Sequence, residues 1–187
     1  MEHYDLVKLA HAGIGTLALA TFWLSGMVRK GSPVHKVSGK LYLLAMTGIL
    51  LSAIPMTVAF FTRQNPVAAA FLIYLIVITS TSVWCSWRSV RDKHDWTRYT
   101  GPVYRYLMVM NGISGLAIAN IGLFVTNQMA LIFTAFSLIG LMNAVEMWRF
   151  SRSAPTDSRW WLKKHFSAMI GNGVATHIAF LTIGLPK

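Results

Sequence analysis

This chain has little charge. Only 12% of its residues are charged, and six Asp and Glu stand against seventeen Lys and Arg, whereas a soluble domain carries about a quarter charged residues. A water-facing surface of ordinary polarity is therefore excluded. Cysteine is almost absent too: Cys85 alone excludes an internal disulfide, and there is no C-x-x-C or thiolate-rich metal motif. The chain also lacks HExxH, GxSxG, HxxxH and any Gly-rich phosphate loop, which leaves zinc-hydrolase, serine-hydrolase and nucleotide chemistry without their usual residues.

What the chain has is apolar length. It is 55% hydrophobic with a mean hydropathy of +0.51. A helix needs about 20 mostly apolar residues to cross the hydrocarbon core of a bilayer. Runs of that kind lie near residues 7–28, 40–62, 67–87, 106–126, 129–148 and 163–185. They predict an all-α, polytopic membrane protein, a single six-helix transmembrane bundle occupying residues 1–187, because no connection is long enough to fold as a soluble domain. The first run contains His11 and has no basic start with a small-residue cleavage motif, so it reads as a retained span rather than a signal peptide.

The scarce charges are placed with a pattern. Fourteen of the seventeen Lys and Arg fall in three segments, RKGSPVHKVSGK, RSVRDKHDWTRYTGPVYR and RFSRSAPTDSRWWLKK, leaving only Lys8, Arg63 and Lys187 elsewhere. The positive-inside rule then puts these segments, with His35, His94 and His165, in the cytoplasm and both termini outside, an N-out/C-out arrangement. The net charge of +11 is thereby accounted for without nucleic acid, and contact with anionic lipid headgroups is its expected use. Trp84, Trp87, Trp96, Trp148, Trp160 and Trp161 fall at the same boundaries, as an aromatic belt does. Small residues predict close helix approach at Gly115 and Ala119 in the fourth run and at Gly171, Ala175 and Ala179 in the sixth. Pro55 is expected to free a carbonyl in the second run.

Histidine is the polar residue that stands out against this background. In the six-span arrangement His11 and His177 share the outer leaflet, while His35 and His165 share the inner boundary. Each level draws on two helices, and spans one, two and six are expected to be neighbours. Two neutral imidazoles on different helices are what a six-coordinate b-type haem needs as axial ligands, and two such levels would carry electrons across the membrane. The twelve residues from His165 to His177 turn the helix through about 1200°, which leaves the two side chains about 120° apart rather than on one face. Joining helices by hydrogen bonds is the competing role for these histidines, worth about 1 kcal/mol each.

HAGIGTLALATFWLSGMVRKGSPVHKVSGKLYLL, with WWLKKHFSAMIGNGVATHIAFLTIG at the other end, resembles a family of small bacterial integral membrane proteins known as a domain of unknown function. The likeness rests on a histidine-bearing first helix, the turn Lys30, Gly31, His35, Lys36 and Gly39, and an H…MI…A…AF last helix. It implies a bacterial inner-membrane location and that His11, His35 and His165 belong to a pattern. A more distant likeness to the b561-type cytochromes rests on histidines in packed helices.

Glu146 is the one acidic residue well inside an apolar run, and an intramembrane carboxylate is a functional candidate. With Asn143 it stands near the inner boundary, where it either pairs with Arg149 or Arg105 or serves as a proton-accepting or metal-ligating group beside His165. Asn111, Ser114, Asn120, Asn172 and Thr176 add hydrogen-bonding capacity. The ten methionines suit apolar packing. A Cu(I) path would need His and Met clustered, and only His165 with Met169 has that spacing.

Three functions stay open at this level. One is a redox protein that binds haem b through His11, His177, His35 and His165 and exchanges electrons with a quinone or another membrane redox protein. The second is a transport or metal-binding protein holding a transition metal ion through His11, His177, His165 and Glu146. The third is an assembly partner whose histidines join helices.

Overall fold

The computed structural model describes residues 2–124 and 129–180. These form α1 Glu2–Met27, α2 Pro33–Thr62, α3 Pro66–Arg91, the single turn α4 Trp96–Tyr99, α5 Pro102–Phe124, α6 Met129–Arg152 and α7 Trp160–Ala179, with no strand among the described residues. Residues 181–185 of the expected sixth span, residues 125–128 at the end of the fourth span and in its connection to the fifth, and Lys187 lie outside the described residues.

Five of the helices, α1, α2, α3, α5 and α6, are long and apolar enough to cross a membrane. The chain therefore has the build of a multi-pass membrane protein in contact with a lipid bilayer. The first two turns of α7 hold Lys163, Lys164 and His165. Those three residues depress its hydropathy, although the helix is as long as a span requires.

Turn chemistry sets the helix boundaries. Gly31 takes φ 81, a left-handed conformation that costs glycine nothing, and lets α2 fold back along α1. Ser32 caps α2 through its Oγ, which accepts from His35 N at 3.2 Å, and Pro33 follows at the first helical position. Asn65 and Pro66 open α3 in the same way, with the Asn65 Oδ1 accepting from Ala68 N at 3.1 Å.

α1 and α2 pack as an antiparallel hairpin, as do α5 and α6, and α3 stands between the two pairs. α7 lies against α3 and also touches α1. It reaches α2 where Met169 joins Ala18, Tyr42, Ala45 and Met46 in one buried cluster, and where Thr176 donates to Met46 Sδ at 3.4 Å. The expected neighbourhood of α1, α2 and the last helix is thus present. The packing also agrees with the small residues of α5: a Cβ on Gly115 would meet Leu141 at 3.2 Å, and one on Gly122 would meet Phe133 at 3.3 Å.

In α7 the expected face is corrected. Gly171 has no atom within 4 Å of its Cβ position, and Ala179 is exposed. The close approach is at Gly173, where a Cβ would overlap the Phe22 ring. Asn172, Gly173 and Thr176 are the buried residues there, so the packed face of α7 lies beside the one the small-residue spacing indicates.

The three basic segments gather at one end of the bundle. Lys93 lies over the Trp161 ring, Arg91 over Trp87 and Arg152 over Trp148, contacts in which an aromatic face attracts the cation. Tyr99, Tyr104, Met147 and Trp160 form a buried cluster at the same end, and burial holds the Tyr99 phenol well above its ordinary pKa. Most helix faces away from these clusters carry exposed Leu, Ile, Val and Phe. In a bilayer that surface needs no protein partner.

Candidate functional site

At the basic end, the turn that reverses α1 into α2 brings His35 back to the end of α1. There His35 Nδ1 lies 3.0 Å from the Ser25 carbonyl. A carbonyl only accepts, so Nδ1 carries the proton and donates it. Lys30 Nζ donates to the same carbonyl at 3.0 Å and also to the Gly26 carbonyl, using the unpaired carbonyls at the helix C-terminus.

His165, in the second turn of α7, is held the same way: its Nδ1–H donates to the Ser86 carbonyl of α3 at 2.9 Å. His35 and His165 thus stand at the same end of the bundle, on α2 and α7. Both have Nδ1 tied to a backbone carbonyl, which leaves the Nε2 lone pair as the basic site of each ring. A carbonyl behind the ring is the usual way that a metal-ligating histidine is oriented.

The surroundings of this pair are small and polar. Ser25, Ser38, Ser86 and Ser89 are all buried. Gly39, one turn beyond His35 on α2, has open space within 4 Å of its Cβ position.

The outer histidines are not brought together. His11 Nδ1 meets Ser52 Oγ of α2 at 2.7 Å. Because that hydroxyl donates to the Gly48 carbonyl at 3.0 Å, its oxygen accepts from His11. His177 instead meets Trp23, twelve positions along α1 from His11, or about 18 Å of helix rise. Its Nε2 accepts from Trp23 Nε1–H at 2.8 Å, and its Nδ1–H donates to the Gly173 carbonyl at 2.7 Å. Both nitrogens of His177 are occupied by protein groups, with Phe22 and Trp23 packed edge-on against the ring. The expected outer-level pair of His11 and His177 is therefore corrected: the two meet different partners because α7 approaches α1 near its far end.

Glu146 also differs from expectation. Its partner is Lys164 at 2.5 Å, not Arg149 or Arg105, and its side chain is 64% exposed. Lys164 precedes His165, but the His165 ring turns to Ser86 instead. Among the described residues, no three His, Cys, Asp or Glu side chains converge closely enough to hold a metal ion. The metal set of His11, His177, His165 and Glu146 is accordingly scattered over separate places.

Asn111 does join helices: its Nδ2 donates to Thr81 Oγ1 at 2.6 Å and to the Leu107 carbonyl at 2.8 Å. Asn172 and Thr176 face the packed core.

Several partners escaped the sequence. The orienting groups at Ser25 and Ser86 are backbone carbonyls, which no side-chain pattern signals. Asp92 is another: nearly fully buried, it accepts from Arg88 Nε, while Arg98 Nε stands 3.6 Å from its other oxygen. The i,i+4 spacing of Arg88 and Asp92 is the signal that was available for it.

No family model, curated protein or solved structure matches this chain.

Proposed function

We propose that this chain is an integral membrane redox protein that carries one b-type haem, ligated by His35 and His165 through their Nε2 atoms, at the boundary of the bilayer. The observation that carries the reading is the matched pair of Nδ1-to-carbonyl hydrogen bonds, to Ser25 and to Ser86, on imidazoles from two helices at the basic end. Two axial nitrogens suffice for haem iron, whereas a bare transition metal ion of zinc type takes three or four protein ligands. His11 and His177 take the helix-joining role, and the site serves one level rather than two. When bound, haem supplies one-electron chemistry, and the protein orients the ligands and sets how far water enters. Exchange with a quinone or a second membrane redox protein fits a haem held at the bilayer boundary.

A bacterial inner-membrane location is the part of this reading that rests on the likeness of the chain's two ends to the small bacterial membrane-protein family. With α7 as a sixth span, both termini lie outside and the basic end is cytoplasmic. Single cysteines at Ser153→Cys and Gln64→Cys in a Cys85→Ser background test this with an impermeant thiol reagent on intact cells. The expected result is labelling at 64 and not at 153, and the reverse overturns the orientation.

The haem reading is tested by the reduced-minus-oxidised spectrum of protein purified after expression with ample haem. His35→Gln and His165→Gln should abolish the absorbance with the fold retained, because an amide does not replace imidazole on iron. His11→Gln and His177→Gln should keep it. A wild-type protein without haem absorbance defeats the proposal.

A further inference from the structure

The segment joining α3 to α5 builds a groove of about 480 Å³ between the end of α3, the turn α4 and the start of α5. Its lining includes Trp84, Arg88, Asp95, Thr97, Arg98 and Val103. Both flanking helices are long and apolar enough to cross a membrane, so the groove lies at headgroup depth.

Its charges are arranged around one buried carboxylate. Asp92 engages the Nε of Arg88 and faces the Nε of Arg98. The Arg88 guanidinium is thereby fixed from behind, while Arg98 stands at ion-pair distance from the same carboxylate. Arg88 is further held by the faces of Trp84 and Trp87, at 5.4 and 5.8 Å from the ring centres, while Arg98 is 60% exposed. Asp95 stays in place because its Oδ1 accepts from Arg98 N at 2.8 Å.

Two guanidinium groups side by side favour a phosphate, for which their planar forks are shaped. The lining charges are Arg88 and Arg98 with Asp95 beside them, and Asp92 is buried behind the two arginines. A headgroup that is only negative leaves the Asp95 carboxylate next to its phosphate without a cation. One that carries a phosphate and an ammonium together matches both halves of the lining, with the ammonium at Asp95 and the upper acyl chain along Val103 and Trp84. We infer that this groove is a binding site for a zwitterionic phospholipid of the phosphatidylethanolamine class, its phosphodiester on Arg88 and Arg98 and its ammonium on Asp95. The uncompensated charge of Arg91, Lys93, Arg105 and the other basic segments attracts anionic lipid diffusely, which is a different interaction.

The test is native mass spectrometry of the full chain in a neutral detergent and phosphate-free buffer, offered equal amounts of phosphatidylethanolamine and phosphatidylglycerol with identical acyl chains. Wild type should retain the first over the second by several-fold. Arg98→Gln, at an exposed position, should lose most of that retention, by about tenfold for one charge-assisted contact. Asp95→Asn keeps the acceptor for Arg98 N and so should fold normally, yet it should shift the preference to phosphatidylglycerol. Equal retention by wild type and Arg98→Gln overturns the site. So does a wild-type preference for phosphatidylglycerol, or displacement of the lipid by millimolar inorganic phosphate, which would mark a simple anion site.

Discussion

Replacing Gly173 by alanine would put a methyl group onto the ring of Phe22. The overlap is not relieved by a small swing of that ring, because it is boxed in: Tyr42 lies 5.5 Å away, Trp23 6.1 Å and His177 5.7 Å, centre to centre. Tyr42 is itself fully buried, and His177 is anchored at both nitrogens. Overpacking of this kind costs about 1–3 kcal/mol. Against it stands the helix gain on replacing glycine by alanine, about 0.5–1 kcal/mol. The net expectation is a loss of about 1–2 kcal/mol by these two principles. On the scale of soluble domains of this length that lowers the midpoint by about 2–8 °C. The single cysteine, Cys85, packs against the aromatic cluster at the basic end, so a thiol-reactive dye followed during heating reports unfolding without further engineering. Gly171→Ala, two residues away and facing open space, is the control and should be neutral or slightly stabilising. Pairing Gly173→Ala with Phe22→Leu should recover about 1 kcal/mol relative to the sum of the single changes, since the two residues share one contact. If Gly173→Ala melts with the wild type, or Gly171→Ala costs as much, α1 and α7 do not approach at Phe22 and Gly173.

A double-mutant cycle on His11→Ala and Ser52→Ala should give a coupling of about 0.6 kcal/mol and no more than about 2 kcal/mol, the range for hydrogen bonds between membrane helices; zero coupling removes the bond that joins α1 to α2. Asn111→Ala deletes a fully buried amide and leaves Thr81 Oγ1 without its donor, so chemical denaturation in detergent should show a loss of about 1–3 kcal/mol. Glu146→Gln should change stability by less than about 1 kcal/mol, because its pair with Lys164 is largely exposed on the carboxylate side; a larger loss would restore a functional role for the carboxylate. Asp157 has its pKa held below the ordinary carboxylate value by Lys163 and the Arg159 N–H. Whatever it contributes is present above the unfolded pKa and fades as pH falls through the folded one, so Asp157→Asn should slightly lower the melting midpoint at neutral pH and leave the acid limit unchanged, flattening the profile between them.

Composition and the spacing of charges were enough to determine the class of molecule. Twenty-residue apolar runs have few alternatives to helices, because a backbone in lipid must satisfy its own hydrogen bonds, and the three basic segments mark one end of every hairpin. Helix ends at Ser32–Pro33 and Asn65–Pro66 were likewise legible, since capping is a local matter of two or three residues. What the sequence could not carry was the rotation and crossing of one helix on another. A uniformly apolar helix has no strong polar face to declare its inside, so Gly171, Ala175 and Ala179 looked as suitable for packing as Asn172, Gly173 and Thr176. The same indeterminacy governs the histidines. Depth along each helix follows from counting residues, and it grouped His11 with His177 as readily as His35 with His165. Partner choice depends on the angle at which α7 meets α1, and that angle sends His177 to Trp23. Only the tertiary structure decided that His35 and His165 have backbone carbonyls behind them, because the carbonyls of Ser25 and Ser86 belong to helices remote in sequence from the rings they orient or reversed onto them by a turn.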